Sequence, residues 1–133
     1  MSYKLFTDGG ARGNPGPAAI GAVLYQNDQE IATVSEYIGE ATNNQAEYRA
    51  ILAGVELALE KEVKDLECFL DSELIVEQLN QRYKVKDKEL AKLFVKVWNL
   101  TLKFDKISFV HVRREKNKRA DQLVNQALDK QAN

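Results

Sequence analysis

The stretch YKLFTDGGARGNPGP, residues 3–17, decides how the chain is organised. From Tyr3 to Asp8, Tyr, Leu and Thr alternate with Lys, Phe and Asp, the period of a β-strand. From Gly9 to Pro17 the chain is dense in Gly, Asn and Pro, which predicts a turn. An acid therefore ends a strand suited to the middle of a sheet, and Gly9 and Gly10 leave its carboxylate uncrowded.

Outward from that stretch, residues 19–26 and 30–38 are rich in β-branched and aromatic side chains and are separated by Asn27-Asp28-Gln29. That pattern predicts an antiparallel three-strand opening. Residues 44–61 change to helical spacing, with Tyr48, Ile51, Leu52, Val55 and Leu59 on one side. A short strand (66–70), a short helix (72–81) and a longer helix (88–102, with Leu90, Leu93, Phe94 and Val97) follow. Residues 107–112 read as the last strand and 117–130 as the last helix, with Asn117 as its N-cap. Each crossover to a parallel strand needs a helix, so the expectation is an α/β fold. Its mixed five-stranded sheet has three antiparallel strands, then parallel strands, and is flanked by helices. No repeat or linker divides residues 1–133, which predicts a single domain.

A chain of 133 residues buries roughly 65 to 70% of its unfolded surface, enough for one core. The hydrophobic share of 44% and charged share of 29% are those of a globular protein, not a disordered one. There is no cationic, apolar start and no apolar run of about 18 residues, so the expected location is cytoplasmic. Cys68 is the only cysteine, which excludes an intrachain disulfide and reads as packing. A net charge of −1 excludes coating nucleic acid by bulk charge. Basic residues do crowd two short stretches: Arg113, Arg114, Lys116, Lys118 and Arg119, and Lys84, Lys86 and Lys88. These serve either as local phosphate contacts or as solvated loops.

Four carboxylates stand in positions that packing alone does not call for. Asp8 and Asp71 end strands, where sheets with helical crossovers bind ligands. Glu47 is expected in the first turn of its helix, in line with Ala50, Gly54 and Ala58, a face of small residues suited to packing on the sheet. Asp121 shares the apolar stripe of Val124 and Leu128, so both acids are expected to aim inward. Singly, each has a structural explanation: acids favour helix N-termini, and Asp is common at strand ends. Together, converging carboxylates repel, and a cation relieves the repulsion. Oxygen-only donors suit Mg²⁺ or Mn²⁺, and no Cys/His set for zinc is present. His111, the only histidine, alternates with Ile107 and Phe109 and reads as a partly buried strand residue. Without a Ser/His/Asp or Cys/His pairing, metal-activated water is the chemistry left.

The strings TDGGARGNPGP (7–17), TNNQAE (42–47), LDS (70–72) and NKRAD (117–121) lie in the order and spacing of ribonuclease HI, the type 1 ribonuclease H family, and the chain closely resembles that family throughout. The resemblance implies a ribonuclease H-like fold and hydrolysis of the RNA strand of RNA/DNA hybrids, leaving a 5′-phosphate and a 3′-hydroxyl. It also implies that Asp8, Glu47, Asp71 and Asp121 hold two cations, Mg²⁺ with Mn²⁺ as a substitute. Gly10, Ala11, Asn14, Asn43, Asn44, Ser72 and Glu73 match substrate-contacting positions; amides suit 2′-hydroxyls and base edges in a wide minor groove. Asn14 and Asn43 also suit turn and capping chemistry. Double-stranded RNA stays open as a second substrate, and a monomer is expected.

Three departures bear on that implication. The loop before the last acid, Arg113-Arg114-Glu115-Lys116, lacks the histidine many members have, which points to Arg114 as the group contacting the scissile phosphate or product. Only residues 83–87 separate the two middle helices, so the basic handle of some bacterial members is absent. Glu73 replaces the glutamine that often follows the Asp-Ser pair, removing a donor. These departures leave room for a second reading, a nucleic-acid-binding module of this fold without turnover. A transposase- or resolvase-like nuclease is a third, disfavoured by the GNPGP and TNN strings.

Overall fold

In the computed structural model, which describes residues 2–132, the chain opens as a meander of β1 (Tyr3–Ala11), β2 (Gly16–Gln26) and β3 (Gln29–Ala41). Asn27 and Asp28 both take positive φ, 50° and 69°. This is the tight hairpin geometry whose twist matches the strands it joins, and short polar side chains tolerate it. The chain then runs through α1 (Asn43–Glu60), β4 (Asp65–Leu70), α2 (Glu73–Leu79), α3 (Lys88–Thr101), β5 (Lys106–His111), a 3₁₀ turn (Arg114–Lys116) and α4 (Lys118–Ala132).

The sheet has five strands in the order β3-β2-β1-β4-β5. β1 pairs antiparallel with β2 and parallel with β4, and β5 extends the parallel side. The chain leaves β1 on one flank and returns on the other. The carboxyl ends of β1 and β4 therefore border the point where the topology reverses, the usual ligand crevice of such sheets. α1 covers one face with α3 packed outside it, and α4 covers β2 and β3 on the other.

The core lies between α1 and the sheet, where Leu5, Leu24, Tyr48, Ile51, Val55, Cys68, Leu70 and Ile75 are fully buried. Each large side chain removed from water there contributes about 1.5–3 kcal/mol. The Tyr48 hydroxyl donates to Gln78 Oε1 at 2.6 Å, which satisfies a buried phenol and ties α1 to α2. Cys68 is buried, and burial pushes its thiol up, so it stays protonated and acts as packing. No helix among the described residues is long and apolar enough to cross a membrane.

Several local expectations change. β1 does not stop at Asp8 but continues through Ala11, so the turn shrinks from residues 9–17 to 12–15. The reason is tertiary: Gly9, Gly10 and Ala11 pair with Ile20, Ala19 and Ala18 of β2, and because a Cβ on Gly9 would lie 2.2 Å from the carbonyl carbon and oxygen of Ala46, that glycine lets α1 lie directly on the strand. α1 begins at Asn43, because Thr42 forms a capping box with Gln45, and Glu47 therefore falls in the second turn, not the first. The helix dipole, strongest in the first turn, no longer accounts for that acid. Asn117 precedes α4, but its side chain turns into the protein instead of capping the helix. His111 is exposed, since β5 is an edge strand in which only Phe109 is buried.

Gly9 and Gly10 make opposite predictions although they are neighbours. Gly9→Ala has no room against the Ala46 backbone, whereas a Cβ on Gly10 would meet only Val124 Cγ1 at 3.7 Å, an ordinary contact. Gly9→Ala should cost about 1–3 kcal/mol or more in urea unfolding. Gly10→Ala should leave the midpoint close to the parent's; equal losses would remove the close approach as the explanation.

Candidate active site

Asp8 reaches the site from β1, and Gly9 seats the start of α1 so closely that Glu47 comes beside it. Asp71 directly follows β4, and the next residue, Ser72, caps α2 by accepting from the Ile75 N–H at 3.3 Å. These elements bring oxygens of Asp8, Glu47 and Asp71 to within 4.8 Å of one another. Asp8 and Glu47 are each only 8% exposed. Asp121, in the first turn of α4, borders the same cleft but is exposed and stands outside that triad. Asn125 donates to its carboxylate at 3.3 Å and to its carbonyl at 3.1 Å. Asp121 is exposed on the rim, although Val124 and Leu128 on its face of α4 are buried and its carboxylate lies within hydrogen-bonding reach of Asp8.

Burial dominates the electrostatics. It pushes the Asp8 carboxyl up to about 7; a hydrogen bond with Glu47 opposes this, and the negative charges of Asp71 and Asp121 add to it. Glu47 is held well above the usual carboxylate range by burial first and then by the charge of Asp8, with the Gly9 N–H pulling the other way. Glu47 Oε2 is buried with no hydrogen-bond partner. Three carboxylates, an unpartnered buried oxygen and no nitrogen or sulfur donor make a set that fits a hard divalent cation. A cation would offset the mutual repulsion and occupy the orphaned acceptor.

A cleft of about 420 Å³ opens over the acids. Gly10, Ala11, Asn43, Asn44, Ser72 and Arg114 border it. Asn14 does not line it but fixes its edge: Asn14 Oδ1 accepts from the Asn43 N–H at 3.0 Å, and Asn43 Oδ1 accepts from the Ala11 N–H at 2.9 Å. With both oxygens used internally, the NH₂ donors are what these amides have left for a ligand. Glu73 is exposed in the first turn of α2 and is not part of the lining.

Sequence reasoning missed three residues here. Arg12 donates to Asp129 at 2.6 Å and spans the cleft edge from the turn after β1 to α4. Asn125 stands four residues after Asp121, a helical spacing that placed it beside the acid. Asn117 donates to Asp71, a role that its position before a helix concealed.

A family described as reverse transcriptase-like matches residues 6–127. The chain is 42% identical over 131 residues to the bifunctional protein Rv2228c of Mycobacterium tuberculosis, covering 97% of this chain and 36% of that protein. It is 45% identical over 125 residues to ribonuclease HI of Halobacterium salinarum, covering 93% of this chain and 63% of that one. It therefore spans about a third to under two thirds of these relatives' length. The crystal structure of RNase H1 from the same archaeon superposes with a TM-score of 0.95 at 42% identity, covering 98% of this chain and 99% of that one. LC11-RNase H1, solved in complex with an RNA/DNA hybrid, superposes with a TM-score of 0.93 at 43% identity, covering 99% and 100%.

The raised carboxyls set a sign for stability against pH. Asp8 is held at about 7 against an ordinary 3.8, so its contribution to the cation-free fold is complete at acid pH and is lost as the pH rises through about 7; Glu47 acts in the same direction. In chelator, the thermal midpoint should fall between about pH 5 and pH 8, and saturating Mg²⁺ should raise it more at the higher pH. Asp8→Asn should flatten both trends. A cation-induced shift of equal size at the two pH values would contradict the assignment.

Proposed function

We propose, since the chain belongs to the ribonuclease H family, that it hydrolyses the RNA strand of RNA/DNA hybrids endonucleolytically, leaving 5′-phosphate and 3′-hydroxyl ends. One observation carries the reading: oxygens of Asp8, Glu47 and Asp71 within 4.8 Å of one another at the carboxyl ends of the central strands. Residues 1–133 are read as one catalytic domain, acting as a monomer in the cytoplasm.

Asp8, Glu47 and Asp71, with Asp121 from the rim, would hold Mg²⁺, two ions when substrate is bound, with Mn²⁺ as a substitute. Such ions, when bound, lower the pKa of water and offset charge on the attacking and leaving oxygens of an in-line displacement. The acids prepare for this by burial: Asp8 and Glu47 sit where water solvates them poorly, and a proton on either must leave before a cation is held. Glu47 Oε2, unpartnered in the fold, has capacity for that role.

Gly10, Ala11, Asn14, Asn43, Asn44, Ser72 and Glu73 form the proposed substrate contacts. The first strand's glycine and alanine admit a backbone closely, and the amides offer donors to 2′-hydroxyls across a minor groove. Glu73, outside the cleft, is the weakest of this set. Arg114, exposed at the cleft border in the 3₁₀ turn, takes the part of the missing loop histidine toward the scissile phosphate or the departing product. Lys84, Lys86 and Lys88 are exposed in or beside the short segment leading into α3 and supply a modest, salt-sensitive phosphate surface. The hybrid-bound LC11 relative, at 43% identity, supports the choice of substrate.

A cleavage assay on RNA/DNA, RNA/RNA and DNA duplexes, with end analysis of the products, tests the reading. Hybrid cleavage in Mg²⁺ is expected, abolished by chelator, and lowered about 100-fold or more by Asp8→Asn or Asp71→Asn. Hybrid binding without cleavage by the intact chain would favour the module without turnover. Arg114→Ala should lower kcat more than it raises KM; unchanged turnover would remove Arg114 from the mechanism.

A further inference from the structure

Asn117 is 1% exposed, yet it is neither packing nor a helix cap. Its Nδ2 donates to the Thr7 carbonyl at 2.9 Å and to Asp71 Oδ2 at 3.0 Å. Its backbone carbonyl accepts from the Asp121 N–H at 3.2 Å. One residue thus joins the carbonyl preceding Asp8, the carboxylate of Asp71 and the first turn that carries Asp121.

The arrangement has a cost that identifies its purpose. An asparagine before a helix ordinarily turns Oδ1 toward the free N–H groups of the first turn, and losing such a cap destabilises the helix. Here Oδ1 is buried with no partner, so the side chain forgoes the cap and leaves an acceptor unsatisfied. What it keeps is the pair of N–H donors, aimed at one carbonyl and one carboxylate. Only a primary amide of this length does that: aspartate has the same shape but no donor when ionised, and serine has one donor at the wrong distance.

We propose that Asn117 is a positioning residue for the cation-binding acids, its amide fixing the Asp71 carboxylate against β1 so that the remaining oxygen faces Asp8 and Glu47. The inference rests on the cation reading above. Asp71 is half-buried and lacks the burial that immobilises Asp8 and Glu47, so it is the acid of the triad that needs an external hold. Partners that orient metal ligands in this way typically change metal affinity or activity by 10- to 100-fold.

The test is calorimetric titration of Mg²⁺ and Mn²⁺ into the full chain and into Asn117→Ala and Asn117→Asp, with circular dichroism to establish folding. Cation affinity should fall about tenfold or more in both variants. On the hybrid, kcat should fall with KM within about twofold, and raised cation should restore part of the loss. Folded variants with unchanged affinity would overturn the proposal, whatever happens to their melting temperature. If neither variant folds, the Asn117 side-chain amide resonances of the parent decide. They should shift on cation titration together with Asp8 and Glu47 signals; a stationary Asn117 pair beside moving acid signals overturns the proposal. A parent chain that binds no cation overturns this inference and the cation reading alike, whereas bound cation with unaffected variants removes only Asn117.

Discussion

The backbone of α1 lies directly on β1 at Gly9, and the site depends on that contact. With no Cβ at Gly9, the Ala46–Glu47 peptide approaches the strand to a distance that any side chain would occupy. Glu47 is thereby delivered beside Asp8, although the two are far apart in sequence. Gly21 does the same for α4 on the opposite face, where a Cβ would lie 2.4 Å from the Ala120 carbonyl oxygen. Gly21 pairs with Asp8 in the sheet register, so the two close approaches flank the same acid. Helices held off by ordinary side chains would leave the acids too far apart to share a cation.

Bringing acids together in this way works against the fold. Asp8 and Glu47 are both buried, which raises the proton affinity of each; the charge of Asp8 raises Glu47 further, while the hydrogen bond with Glu47 pulls Asp8 back down. Their stability is supplied from elsewhere: from the apolar layer under α1, from the Tyr48–Gln78 bond and from the Thr42 capping box that starts α1. Buried charge without a partner is tolerated in folded proteins mainly where function needs it. The unpartnered Oε2 of Glu47 and Oδ1 of Asn117 lie in the same region, so the unsatisfied polar groups gather at the site.

The surroundings divide into rigid and yielding parts. Asp8 and Glu47 are buried, one on a central strand and the other in a capped helix, and at the surface the Asn14–Asn43–Ala11 hydrogen bonds tie the turn after β1 to the start of α1. Asp121, Arg114 and Glu73 are exposed, and among the described residues only Asp121 of the three has a hydrogen-bonded side chain. A deep, prearranged half and a shallow half able to adjust to a long polyanion is an arrangement suited to nucleic acid, where phosphate contacts position and groove contacts discriminate.

Much of this was legible in the residues themselves. Alternation and helical spacing are local properties, so the order of strands and helices and the mixed five-stranded sheet followed from them, as did the burial of Cys68. The acids could be named because charge at strand ends and on apolar stripes is locally anomalous. Most of the errors share one cause. That β1 runs on through Gly9 and Gly10, that His111 lies on an exposed edge and that Asn117 abandons its cap for Asp71 depend on which distant backbone or carboxylate lies alongside, whereas the Thr42–Gln45 capping box that moves Glu47 into the second turn is local and was legible in the residues. Sequence by itself determined which chemical groups were available and on which elements. Only the tertiary structure decided which of them meet, because those distances are set by long-range packing that no local period encodes.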